Sequence, residues 1–75
     1  MKPLDEIRAH LPPDDLEAFD AGTVEDAGAV VKNGGTTWRL LPAGMVLRMR
    51  QDGTRLRAAY LRGGRDVGNL FGPQR

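Results

Sequence analysis

The sequence predicts an α+β fold: two short N-terminal acidic helices packed on an antiparallel β-meander of four strands, or five. Three observations predict it. None of the ten glycines precedes Gly22, and from there Gly34/Gly35, Gly44, Gly53, Gly63/Gly64 and Gly72 punctuate the chain every nine to ten residues, the spacing of short strands joined by tight turns. Ahead of Gly22 the apolar residues recur at helical spacing instead. Charge divides in the same region, with three basic and eight acidic residues in 1–37 against eight arginines and two aspartates in 38–75.

The 75 residues form one domain, 1–75, with a helical segment at 3–21, a meander at 27–71 and a frayed tail at 72–75. Leu4, Ile7 and Leu11 mark the first helix, which Pro12 and Pro13 stop. Pro13 then fits the first position of a second helix, with Asp14, Asp15 and Glu17 at its positive end, Leu16 and Phe19 toward the core, and Gly22 past its last residue. Thr23 could cap a third helix, but Asn33-Gly34 is a strong hairpin signal and Ala29, Val30 and Val31 have strand chemistry, so a strand is expected there.

The stretch RMRQDGTRLR, Arg48 to Arg57, sets the expected register. A two-residue Asp52-Gly53 turn pairs Gln51 with Thr54, Arg50 with Arg55, Met49 with Leu56 and Arg48 with Arg57. A four-residue loop over Pro42 to Met45 pairs Leu41 with Val46, Arg39 with Arg48 and Trp38 with Met49. Together these give one arginine face (Arg39, Arg48, Arg50, Arg55, Arg57), with Arg39, Arg48 and Arg57 in one row. The opposite face carries Trp38, Leu40, Leu47, Met49, Leu56, Ala58 and Tyr60 toward the helices. Gly63-Gly64 turns the chain into a last segment in which Val67, Leu70 and Phe71 return to the core.

Like charges opposite one another on a sheet cost up to about 1 kcal/mol per pair, so five arginines on one face ask for a compensation. A solvated polar face softened by the acidic helices is one reading. An anionic partner is another: nucleic acid held by guanidinium contacts to phosphate, or an acidic protein surface, including a second copy of this chain. The functional expectation is a non-enzymatic binding protein whose partner-binding residues are those five arginines.

Catalytic classes thin out quickly. Cys and Ser are both absent, which removes the commonest nucleophiles, and the single histidine, His10, suits the negative end of a helix. No catalytic residue, cofactor or metal is expected, because Asp14, Asp15, Glu17 and Asp20 lack calcium-loop spacing and a histidine partner. RGGRDVG lacks the lysine and following helix of a phosphate loop, and is a single copy where Arg-Gly-Gly boxes repeat. MKPLDEIRAHL carries acids where a secretory leader is apolar, and no membrane segment is expected; with no cysteine, the expected location is the cytoplasm.

Overall fold

The computed structural model describes residues 2–69. Two helices, α1 (Pro3–His10) and α2 (Pro13–Asp20), precede six strands: β1 (Thr23–Glu25), β2 (Val30–Asn33), β3 (Thr36–Leu41), β4 (Met45–Asp52), β5 (Arg55–Arg62) and β6 (Arg65–Asn69). The strands form one antiparallel meander in sequence order, so the fold class is as predicted and the strand count is six. The strand missing from the sequence reading is β1, three residues long, whose TVE carries too short a pattern to register.

Proline opens both helices and acids fill their first turns, Asp5 and Glu6 in α1 and Asp14 and Asp15 in α2. Their apolar stripes cover one face of the sheet, with α1 over β3 and β4 and α2 over β2. There Ile7, Leu11, Phe19, Val31, Trp38, Val46, Ala59 and Leu61 form the core, flanked by Leu4, Leu16 and Leu40. Phe19 meets Trp38 edge to face, centroids 5.6 Å apart, a geometry that contributes about 0.5–1.5 kcal/mol beyond burial. His10 closes the far side: its Nδ1 accepts from the Gly63 amide at 3.0 Å and its carbonyl from the Gly64 amide at 3.1 Å, which ties α1 to the β5–β6 turn.

The registers differ from the expectation, and one loop is responsible for most of it. Pro42–Gly44 form a three-residue loop in which the Gly44 amide donates to the Leu41 carbonyl at 3.1 Å, Gly44 sits at φ +78°, and Leu41 pairs with Met45. One residue fewer than the predicted loop turns all of β4 over relative to β3. Trp38 therefore faces Arg48, and Arg39 faces Leu47. At the next hairpin the turn is Gly53–Thr54, with positive φ on Gly53 (+63°), as in a type II′ turn. Relative to Asp52-Gly53 this slides the pairing by two residues, which keeps the faces of β4 and β5 together but sets Arg50 opposite Arg57 and Arg48 opposite Ala59.

The consequence is a correction to the face assignment. Trp38 and Leu40 face the helices as predicted, but Leu47, Met49, Leu56, Ala58 and Tyr60 lie on the outer face of the sheet, with Leu41 and Met45. Arg48, Arg50, Arg55 and Arg57 share the helix-side face with Trp38. Val67 does not return to the core: it is the extra residue where the β5–β6 register shifts, and it is 51% exposed. Leu70, Phe71 and the tail at 72–75 lie outside the described residues.

Between β1 and β2 the backbone turns left-handed over Asp26 (φ +53°), Ala27 (φ +54°) and Gly28 (φ +94°), and the Ala29 amide closes onto the Asp26 carbonyl at 3.0 Å. A side chain held in this region costs about 1–2 kcal/mol. Ala27 and Gly44 thus stand at similar positive φ with opposite residue choices. Gly44→Ala should lower unfolding free energy in urea by about 1–2 kcal/mol, whereas Ala27→Gly should leave it within about 1 kcal/mol of the parent or above it. A Gly44→Ala protein as stable as the parent would contradict the three-residue loop.

Candidate functional site

Asp15, in the first turn of α2, projects its carboxylate down onto the sheet and is 3% exposed. Its Oδ2 accepts from Trp38 Nε1 at 3.1 Å and from Arg48 Nη1 at 2.7 Å, while its Oδ1 accepts from Arg50 Nη2 at 3.2 Å. The Arg48 side chain, 12% exposed, also approaches Asp66 of β6 at 3.7 Å. Every buried polar side-chain atom among the described residues has a partner. This network explains how a guanidinium occupies the core face: a carboxylate, not solvent, answers it.

The five predicted arginines are thereby divided. Arg39 stands alone on the outer face and pairs loosely with Asp26 at 3.5 Å. Arg48 is committed to Asp15. Arg50 gives one donor to Asp15 with half its side chain in solvent, and Arg55 and Arg57 are exposed with no carboxylate ion pair among the described residues. Arg50, Arg55 and Arg57 therefore cluster at the outer end of the β4–β5 hairpin, on the helix-side face.

The hairpin end is a ribbon. Thr36 of β3 pairs no further than Arg50, the last bond on that side is from the Gln51 amide to the Gly35 carbonyl at 2.8 Å, and β6 reaches only to Ala59 in the described residues. A Cβ on Gly35 would run into the Gln51 carbonyl oxygen, so only glycine lets the β2–β3 turn sit this close. Beyond these limits β4 and β5 have only each other among the described residues. At the ribbon's base a cleft of about 160 Å³ is lined by Arg48, Arg50, Arg57, Asp66 and Asn69, with Ala59 as the small side chain on its helix-side floor. Asp52, opposite Arg55, is the one acid on the same face of the ribbon itself.

Chemically, this arrangement offers planar donors to anionic oxygen. Ala59 at the floor leaves the guanidinium forks room to converge, and Arg50 opposite Arg57 presents two forks side by side. The acidic stretch of α2 is occupied elsewhere, Asp15 by the sheet and Asp20 by Arg8, whose Nε and Nη2 donate at 3.1 and 2.7 Å. These hydrogen bonds hold the Asp20 carboxyl below the ordinary carboxylate range and raise the Arg8 guanidinium. Asp15 and the cleft were hidden from sequence reasoning, although one signal existed: Asp15 and Phe19 share i, i+4 spacing within α2, which puts the acid on the helix's core-facing stripe.

The fold and the ribbon define an α+β domain with a basic two-stranded projection. No protein-family model, curated protein or solved structure matches this chain. No helix of the described residues is long and apolar enough to cross a membrane.

Removing one member of the buried network leaves the others unanswered. Asp15→Ala strands Arg48 and the Trp38 indole, at about 3–5 kcal/mol, against a total stability of roughly 3–5 kcal/mol for a chain this short. The variant should be largely unfolded in water by far-UV circular dichroism, and Asp15→Leu with Arg48→Met should recover much of the loss. The Arg8 pair gives a pH signature. Because the folded-state Asp20 carboxyl lies below its unfolded value, its contribution is present above the unfolded value and is lost as pH falls through the folded one. Arg8→Ala should therefore melt below the parent at neutral pH and converge with it below about pH 4; a constant gap down to strong acid would contradict the pair.

Proposed function

We propose that this protein is a non-enzymatic binding module whose β4–β5 ribbon engages a polyanion, most simply nucleic acid, through Arg50, Arg55 and Arg57. The observation that carries the reading is the concentration of three exposed arginines on one face of a two-stranded ribbon that projects past its neighbouring described strands. A two-stranded ribbon has the width to enter a major groove, and guanidinium forks suit phosphate oxygens and guanine edges. Trp38 is buried, so base stacking is not offered there, and duplex backbone contact fits better than single-strand binding. Arg48 takes a supporting part by holding the cleft wall, and Arg39, on the outer face with Asp26, takes none. A cytoplasmic setting suits a cysteine-free chain.

An acidic protein surface is the second reading. Leu56, 42% exposed on the reverse side of the same ribbon, favours it, because an apolar contact beside arginines is what protein interfaces use at their centres.

Anisotropy of a labelled mixed-sequence duplex, titrated at several salt concentrations, tests the first reading. Three engaged arginines give a slope of log affinity against log salt near about −2.7, and each of Arg50→Ala, Arg55→Ala and Arg57→Ala should flatten it by about 0.9. Arg39→Ala should leave it unchanged. No binding at low salt, or a flat response, would end the nucleic-acid reading and leave the acidic protein surface, on which Leu56→Ala should weaken binding.

A further inference from the structure

The sheet has two faces and the helices cover one. On the other, Leu41, Leu47, Met49, Leu56, Ala58 and Tyr60 lie together on β3, β4 and β5, and no described element packs over them. A sheet apolar on both sides is the pattern of a sheet buried on both sides. These residues are distinct from the core cluster that the helices share, so their apolar character is not accounted for by packing among the described residues.

We propose that two copies of this chain pack outer face to outer face as an aligned β-sandwich about a two-fold axis, with Leu47, Met49 and Tyr60 at its centre. Area and charge both select a second copy. Six strands at about 4.8 Å spacing and up to about 3.3 Å per residue give a face of roughly 500 Å² in plane, and more once side-chain relief is counted. That is the order of the roughly 600–800 Å² per partner that a stable dimer needs. Leu47, Met49 and Tyr60 are uncharged and meet their own image without repulsion, while Arg39, opposite Leu47 on the same face, keeps Asp26 as its counter-charge at 3.5 Å. At the β6 rim Arg62 and Arg65 stand opposite each other on the outer face with no carboxylate ion pair among the described residues. At the other rim lie Glu25 and Asp26, their side chains 46% and 65% exposed even while paired to Lys32 and Arg39. A two-fold axis along the strands turns each copy's arginine rim toward the other's carboxylate rim, in the aligned packing that twisted sheets adopt. Extra burial is also what a chain with so small a core lacks.

The pairing leaves both ribbons and both clefts facing outward, so it neither requires nor blocks polyanion binding. Its failure and the failure of the ribbon reading are separate results.

Light scattering or sedimentation equilibrium on the full chain, from about 1 µM to about 500 µM and at low and high salt, is the test. The expected mass at high concentration is twice the 8.2 kDa of one chain, and it should persist in high salt because the centre is apolar. Met49→Lys should weaken association at least about thirtyfold, the loss typical of a central interface residue, with an unchanged far-UV spectrum. Arg50→Glu, on the opposite face, should not change it. Hydroxyl-radical oxidation of the parent, read at Met45 and Met49, gives a measure independent of any variant: both should be protected at high concentration and become reactive on dilution. A parent that stays at 8.2 kDa throughout overturns the proposal. So does a dimer that Met49→Lys leaves intact, a dimer that dissociates in salt and is lost in Arg50→Glu, or protection of Met49 in a monomer at every concentration, which would place the cover within a single copy.

Discussion

A single buried carboxylate makes this sheet possible. With Gly44 turning the β3–β4 loop in three residues, the guanidinium of Arg48 is delivered to the face where Trp38, Val46 and Leu61 are buried. An unanswered charge there would cost more than the whole domain holds in reserve. Asp15 answers it, and satisfies the indole of Trp38 with the same oxygen. Residues 15, 38, 44 and 48 are therefore one device, although they come from a helix, two strands and a loop. The device also fixes how α2 sits, since its first turn must place Asp15 above β3 and β4 while Phe19 reaches Trp38 four residues later.

This is why the local elements were legible in the sequence and the faces were not. Helix starts at Pro3 and Pro13, strand propensity at Val30–Asn33 and turns at each glycine pair are local signals, decided within a few residues. Facing depends on loop length modulo one residue. In LRMR the rule that apolar residues point inward favours Leu47 and Met49, and a four-residue loop satisfies it. The structure inverts that choice: the alternate residues Val46, Ala59 and Leu61 form the floor under the helices, and a distant acid neutralises Arg48. Nothing within the hairpin itself announces that acid. Only the helix shows it, as an aspartate four residues before Phe19 on the core-facing stripe of α2.

The same inversion decides which arginines are available for contact. Had all five shared a solvent face, each would count equally toward an anionic partner. Instead the ion pairs rank them: Arg48 is spent inside, Arg39 is turned to the other side, Arg50 is half committed, and Arg55 and Arg57 are open. The sequence therefore held the composition of the basic surface but not its extent, which shrinks from a sheet face to the end of one hairpin. Arg8 and Asp20 show the same accounting on the helix side, where charge is used to clamp α1 to α2.

Element length explains why the hairpin end remains open at all. An eight-residue helix is about 12 Å long and an eight-residue strand about 26 Å, so neither α1 nor α2 can run the length of β4 and β5. The helix layer is placed where Ile7, Leu11 and Phe19 can reach Trp38 and Val46, and the remaining strand length projects. On that overhang an apolar inward face would have nothing to bury against. Arginines there are the residues that keep the core side of an uncovered ribbon in water, while the alternate positions Leu47, Met49 and Tyr60 concentrate apolar surface on the reverse. One alternation thus builds two unlike surfaces, and the short helices determine where each of them begins.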